Sequence, residues 1–458
     1  MSPRPLHAVL LPPEPGGGRL LDLLSAALDG TGPAILPLDP ALPPARLAEL
    51  LAIFAPGAIV TPDGTQRIAA PPGPGGVRPD VAVIVATSGS TGVPKGVALS
   101  AAALRASAAA SLARIGARPG GRWLCCLPGF HVAGLQVLIR SLLGGTVPVV
   151  AGRVDAGVIA RSGCAYVSLV PTQLRRLLDD GAPLDAFGAI LLGGAAPAPG
   201  LLADARAAGA RVITTYGMSE TCGGCVYDGV PLDGVRVRIS DAGLIGLAGP
   251  VLFSGYWPAS ASRAAPGDHV APGDRGAAGD HAVPGDRGAG DRAAPGDHGA
   301  GDRAAPGDRD GAGDPAGPGG PAPGDGWFWT SDLGALDGAG RLTVRGRADD
   351  VINSGGEKVV PGEVESVLGT LGGVRDVVIV GVPDSEWGEI VTAVIVPEDP
   401  AAPPELARLR AQARERIPGY AAPRRLILVA EIPMLASGKP DRQALRAAAQ
   451  AAGRDGRA

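Results

Sequence analysis

Thr87-Ser88-Gly89-Ser90-Thr91-Gly92-Val93-Pro94-Lys95-Gly96 follows the apolar run Val81–Ala86. A buried strand that empties into a loop of this composition is suited to holding an anion. Gly89 and Gly92 let the backbone turn tightly, so that successive N–H groups converge. Thr87, Ser88, Ser90 and Thr91 add hydroxyl donors, and Lys95 adds charge. The pattern is not G-x-x-x-x-G-K-[ST], because Gly96 follows Lys95, which disfavours a P-loop kinase or NTPase. The competing reading is a Ser/Gly linker.

Lysine usage sharpens the point. The 458 residues hold 41 basic side chains, of which only Lys95, Lys358 and Lys439 are lysine, leaving 38 arginines. An ammonium is a compact point charge, whereas guanidinium is a wide planar fork. Where one small cation must meet one phosphate oxygen, the two do not interchange.

Whole-chain properties exclude several classes. Hydrophobic residues make up 45% and aromatics only 3%, so the cores must be built from Ala, Val, Leu and Ile. The net charge of −4 argues against nucleic-acid binding. No apolar run reaches membrane-spanning length. The N-terminus, broken by prolines, reads as carrying no secretory signal. Five cysteines, an odd number, suggest free thiols in a reducing cytoplasm. Cys222-Gly-Gly-Cys225 has metal or redox spacing, but no second pair completes a zinc set, and two small residues in a glycine-rich turn is the preferred reading.

Residues 262–325 repeat APGDR, APGDH and GAGDR with almost no large apolar side chain. Such a segment cannot offset the entropy of ordering and is expected to be a disordered insertion. It carries His269, His281 and His298. His7 is assigned to a frayed N-terminus, which leaves His131 as the histidine of a folded segment. Elsewhere the pattern is α/β. Strands at 81–87, 122–128 and within TVPVVAG, YVSLVP, AILLGGAA and RVITTYG alternate with helical stretches, implying parallel sheets with helical cover. After GVRVRIS, short strands and turns suggest a small β-rich subdomain. From about 349 the chain reads as a small α+β domain.

TSGSTGVPKG, YGMSET (216–221), WTSDLG (329–334), GRADDVI (346–352) and ASGKPDR (436–442) occur in the order and character of the acyl-adenylate-forming superfamily, which the chain resembles over roughly residues 81–445. Within it, PGFHVAGLQVLIRSLLGGTVPV, LVPTQLRRLL and YGMSETCGGCVYDGVPLDGV look most like the o-succinylbenzoate–CoA ligases of menaquinone biosynthesis. The resemblance implies an α/β fold with a large N-terminal domain of mixed and parallel sheets (1–348) and a small mobile C-terminal lid (349–458). The implied partners are a small-molecule carboxylic acid, ATP and CoA, with Mg²⁺ as cofactor. A homodimer is left open.

The same resemblance distributes roles. Thr87, Ser88, Gly89, Ser90, Thr91, Gly92 and Lys95 fall on the β- and γ-phosphates. Glu220 holds Mg²⁺, whose preference for hard oxygen suits a carboxylate. Tyr216 offers a face to adenine and Gly193, Gly194 and Ala195 a flat wall, with Gly217 and Thr221 also on the nucleotide. Asp332 accepts from the ribose hydroxyls and Arg347 donates beside it. Lys439 is the catalytic cation, joined by Glu220 and His131. Asp349 is the hinge, and Ser354, Gly355 and Gly356 approach the CoA tunnel. For Lys358 two readings stand, a CoA phosphate or plain exposure.

His131, Arg140 and Ser219 are placed on the acid. His131 and Arg140 are nine residues apart, two and a half helical turns, so sharing a pocket requires a non-helical start near His131. Arg140 sits among Val137, Leu138, Ile139, Leu142 and Leu143. An arginine on so apolar a helix calls for an anion, either the second carboxylate of a dicarboxylic acid or an acidic side chain. Deleting residues 262–325 should leave ligation nearly unchanged in a coupled thioester assay; a large drop in turnover would give the insertion a role.

Overall fold

The computed structural model describes residues 2–14, 17–68, 76–88, 94–258, 326–435 and 439–454. The block at 262–325 and the loop residues Gly89, Ser90, Thr91 and Gly92 lie outside the described residues.

Two seven-stranded sheets form the larger part. One runs Gly255–Trp257, Pro94–Ser100, Val81–Ser88, Ala34–Pro37, Leu6–Val9, Ala58–Thr61, Gly64–Arg67. Its inner strands are parallel and its edges antiparallel. The other runs Val230–Pro231, Gly223–Tyr227, Val212–Met218, Ala189–Leu192, Tyr166–Leu169, Trp123–Cys125, Val149–Val150, with parallel pairing through its middle. The helices Gly18–Asp29, Ala101–Ile115 and Val132–Leu143 lie between the sheets. They contribute Leu24, Leu104 and Leu135 to a core that also takes Val83 and Val97 from one sheet and Trp123 and Leu191 from the other. Fully burying each large aliphatic contributes about 1.5–3 kcal/mol, and with few aromatics these side chains carry the packing.

Local sequence explains the middle helices. Ser100 caps Ala101–Ile115 by accepting from the Ala103 N–H at 3.1 Å, and Gly116 ends it in the left-handed conformation. Val132–Leu143 begins after an extended His131 (φ −105°, ψ 146°), the non-helical start that a pocket shared with Arg140 would need.

Past Val235 the chain forms an antiparallel sheet, Arg236–Ile239, Leu244–Ala248, Trp327–Leu336 and Leu342–Arg347, as the shift in sequence pattern implied. Beyond it lies a sheet of Glu357–Val359, Ile352–Ser354, Gly388–Pro397 and Val374–Asp384, with Arg425–Leu428 pairing on Gly388–Pro397. It has its own core around Ile379, Val391 and Leu409. Helices Pro361–Leu368, Leu406–Ala413 and Arg442–Arg454 cover it. Gly362, in the first turn of Pro361–Leu368, lies flat on strand Leu342–Arg347: a methyl there would sit 2.2 Å from the Arg345 carbonyl oxygen.

One expectation is corrected. His7 belongs to the strand Leu6–Val9, in register with Ile35 and Ala58 on either side, not to a frayed end. Prolines flank the apolar run without entering the strand, and Arg4 anchors it. The Arg4 guanidinium donates to the carbonyls of Ala27 (2.7 Å), Gly32 (2.7 and 3.0 Å) and Val81 (2.9 Å). Arg4→Met should strand these acceptors and destabilise the protein by about 3 kcal/mol, at 1–3 kcal/mol per unsatisfied group. Urea denaturation measures it, and an unchanged midpoint would remove the anchoring role.

Candidate active site

The strands Val81–Ser88 and Pro94–Ser100 make an antiparallel hairpin with Thr87 opposite Lys95. The Thr87 hydroxyl donates to the Lys95 carbonyl at 3.1 Å, fixing the mouth of the hairpin. Gly96 allows the edge strand Gly255–Trp257 to close in, since a methyl there would sit 2.8 Å from the Trp257 carbonyl oxygen. That contact brings Tyr256 under the hairpin, with the Lys95 ammonium 5.6 Å from the ring centroid.

Strand Val212–Met218 ends in a 3₁₀ turn, Ser219–Thr221, and doubles back as Gly223–Tyr227. Gly217 is the crossing point: a methyl there would lie 2.0 Å from the Gly223 carbonyl oxygen. Thr221 is wholly buried. Its hydroxyl accepts from the Met218 N–H (2.9 Å) and donates to the Gly223 carbonyl (2.7 Å). Thr221 therefore shapes the turn, and its hydroxyl is spent within the loop rather than aimed at a nucleotide. Ser219 opens the turn, accepting from the Cys222 N–H at 3.1 Å.

The turn projects Glu220, whose Oε1 accepts from the Tyr256 hydroxyl at 3.0 Å. Burial pushes the Glu220 carboxyl up, while its own backbone N–H, the Tyr256 hydroxyl and the charge of Lys439 act the other way. The Tyr216 hydroxyl donates to Asp332 Oδ2 at 2.8 Å; burial first, then the Asp332 charge, pushes that phenol up. Asp332 stands opposite Arg347 in an antiparallel pair, with Arg347 Nη1 3.7 Å from Asp332 Oδ1. The other Arg347 nitrogen donates to Asp349 at 2.8 Å. Gly193, Gly194 and Ala195 leave strand Ala189–Leu192 beside Thr215. A methyl on Gly193 would sit 2.4 Å from the Thr215 hydroxyl oxygen, which keeps this wall flat next to Tyr216.

Lys439 is exposed and stands three residues before helix Arg442–Arg454. Its charge opposes protonation of His131 and favours ionised Glu220, so the C-terminal cation bears on both. The His131 ring lies tilted against Phe130 (4.7 Å between centroids, 58° between planes). Burial lowers its pKa, Asp39 raises it and Lys439 lowers it. Its buried Nε2 has no hydrogen-bond partner among the described residues.

Arg140 is 5% exposed. It donates to the hydroxyls of Ser111 (3.0 Å) and Ser168 (3.2 Å) and lies over the Trp123 ring at 4.4 Å. Ser111 is in turn hydrogen-bonded to the Tyr227 hydroxyl at 2.8 Å. Burial lowers the Arg140 pKa, against the nearby Tyr227 and Cys125. Among the described residues no carboxylate pairs with it, so the acidic-side-chain alternative has no counterpart here.

Ser354, Gly355, Gly356 and Lys358 occupy a separate hairpin of the C-terminal sheet. Gly355 and Gly356 are left-handed (φ 63° and 84°), and Gly355 faces the Trp387 ring. Ser354 is buried and Lys358 exposed. The five cysteines are buried free thiols. Cys222 caps the 3₁₀ turn and Cys225 lies in the next strand, and the described residues hold no cluster of three or more metal-ligating side chains.

Sequence reading missed Tyr256, Ser111, Ser168, Trp123 and Tyr227. The GYW segment was a visible signal for Tyr256. The others come from four separate segments whose meeting no spacing announces.

Residues 26–257 match the family model described as AMP-binding enzyme, and residues 363–439 that of the AMP-binding enzyme C-terminal domain. A Mycobacterium tuberculosis protein named probable 2-succinylbenzoate–CoA ligase is 41% identical over 382 residues, covering 80% of this chain and 84% of that protein. A Geobacillus kaustophilus 2-succinylbenzoate–CoA ligase is 32% identical over 398 residues, covering 80% and 69%. Among solved structures, Escherichia coli MenE with a bound analogue of OSB-AMS is 26% identical, with a TM-score of 0.68 over 98% of this chain and 89% of that one. Bacillus subtilis o-succinylbenzoate CoA synthetase in complex with OSB-AMP shares the fold, with a TM-score of 0.70 at 24% identity over 97% and 89%.

Thr221→Val should cost about 2 kcal/mol, because it takes the hydroxyl from a part-buried N–H and a buried carbonyl. Chemical denaturation measures this. A loss under about 0.5 kcal/mol, the scale of an ordinary surface change, would show that the turn does not rest on the hydroxyl.

Proposed function

The chain belongs to the AMP-binding enzyme family, and we propose that it is an ATP-dependent acid–CoA ligase acting on 2-succinylbenzoate in menaquinone biosynthesis, in the cytoplasm. Among the described residues no helix is long and apolar enough to cross a membrane. In the first half-reaction a substrate carboxylate oxygen attacks the α-phosphorus of ATP, and pyrophosphate leaves. In the second the CoA thiol, giving up its proton, attacks the acyl carbon and AMP leaves.

The residues divide the work. The hairpin from Thr87 to Lys95 receives the β- and γ-phosphates. Tyr216, pinned through its hydroxyl to Asp332, presents its ring to adenine across from Gly193–Ala195. Asp332, with Arg347 beside it, keeps an oxygen for the ribose hydroxyls. Glu220 suits magnesium: it is a partly buried carboxylate with one oxygen on a neutral phenol and no basic side chain paired to it among the described residues. With no cluster of three or more metal-ligating side chains among the described residues, the ion would rest on Glu220 and the phosphates, the usual habit of Mg²⁺. Bound there, it neutralises phosphate charge. Lys439 stabilises the charge that grows on the α-phosphate as the acid attacks.

The chain divides at the hinge Asp349 into an N-terminal unit, 1–348, and a C-terminal lid, 349–458. Rotation about the hinge withdraws Lys439 and brings Ser354, Gly355, Gly356 and Lys358 to CoA.

Arg140 carries the choice of acid. A buried guanidinium held by two neutral hydroxyls and a ring is paired with no carboxylate of the described residues. A dicarboxylic acid whose reactive end lies near Lys439 brings its second carboxylate to that charge. Purified protein with ATP, CoA and 2-succinylbenzoate should yield the thioester by mass spectrometry. Arg140→Ala should lower kcat/KM for 2-succinylbenzoate on the order of a hundredfold, the loss of a charge-assisted contact worth about 3 kcal/mol. Benzoate turnover should change far less. Equal losses for the two acids would remove Arg140 from substrate recognition.

A further inference from the structure

Tyr256 joins two parts of the site that the sequence keeps far apart. Its hydroxyl is 3.0 Å from Glu220 Oε1, and its ring lies 5.6 Å from the Lys95 ammonium. Its backbone pairs antiparallel with Val97, two residues past Lys95. The Phe253 N–H donates to the Glu220 carbonyl at 2.8 Å, so the same short segment grips Glu220 by main chain and side chain.

The ring is itself fixed. Phe253 packs edge-on against Tyr256 (5.0 Å) and against Phe328 (5.2 Å). Phe328 belongs to strand Trp327–Leu336, which also carries Asp332. In a chain with five Phe, five Tyr and five Trp, three aromatics form one row beneath the site. Edge-to-face contacts define ring orientation as well as burying area.

We propose that Tyr256 is a positioning residue for metal-bound nucleotide: its hydroxyl occupies one oxygen of Glu220 and orients the other toward Mg²⁺, while its ring seats the Lys95 ammonium against the same phosphates. The inference rests on Glu220 as the metal carboxylate. A phenol suits the task because it donates one hydrogen bond and brings no charge to compete with the ion. A lysine or arginine in its place would pair with Glu220 and cancel it.

The test separates ring from hydroxyl and needs no turnover. ATP binding to the full-length protein is measured calorimetrically with and without Mg²⁺, acid and CoA omitted. In the native protein Mg²⁺ should strengthen ATP binding. Tyr256→Phe should shrink that enhancement on the order of tenfold, one hydrogen bond to a charged group. Metal-free ATP binding should stay within about twofold, because the ring remains. Tyr256→His, which restores an N–H donor, should recover most of the enhancement and serves as the second variant should the phenylalanine form not fold. Glu220→Gln should abolish the enhancement, and adding Tyr256→Phe to it should cost nothing further. If Glu220→Gln leaves the enhancement intact, the reading of Glu220 fails. If Glu220→Gln loses it while Tyr256→Phe matches the native protein, or the two losses add, the positioning role of Tyr256 is overturned.

Discussion

A guanidinium taken out of water with no carboxylate of the described residues beside it is costly to fold around. Arg140 is in that state, and its surroundings are arranged to make it tolerable without neutralising it. Serine hydroxyls from two different elements take its terminal nitrogens, and an indole face takes the flat of the cation. Each contact contributes part of what water supplied, and none carries a negative charge. Substituting a glutamate for either serine would satisfy the arginine and cancel the charge on which the proposed recognition of the acid rests. The packing of Ala101–Ile115 against Val132–Leu143, and of both against the second sheet, is what places these groups around one side chain.

The end proposed for the nucleotide follows a related logic with the signs reversed. Glu220 and Asp332 are each held by a tyrosine hydroxyl rather than by a cation alone. A phenol fixes a carboxylate in direction while leaving its charge in place. Both tyrosines lie where glycine lets backbones meet closely, at Gly217 and at Gly96. The glycines around the site therefore set side-chain geometry indirectly, through how near one strand can come to the next.

Some of this was legible in the sequence. Local signals marked the hairpin proposed for phosphate: a strand, a glycine and hydroxyl run, and a lysine in a chain that hardly uses lysine; the structure shows the paired strands on either side of that run. Arg140 was conspicuous as a charge in an apolar helix, and helical spacing said only that a pocket shared with His131 would need a non-helical start there, which His131 has. The cage around Arg140 was not, because Ser111, Trp123, Ser168 and Tyr227 are ordinary residues in their own segments and acquire meaning only through tertiary packing. Thr221 was assigned to the nucleotide from its motif, yet its hydroxyl is consumed by its own turn. His7 was assigned to a frayed end because nearby prolines looked disruptive. Proline is harmless just outside a strand, and the pairing partners at Ile35 and Ala58 lie too far along the chain for a local pattern to reveal.

The scarcity of lysine has a practical side for anyone handling the protein. Besides the α-amino group, amine-directed reagents such as succinimidyl esters, aldehydes and amine-coupling sensor surfaces find only Lys95, Lys358 and Lys439, two of them exposed and the third half-buried at the hairpin. Routine conjugation through amines thus falls on three positions, two of them in the proposed catalytic apparatus, instead of spreading over the surface.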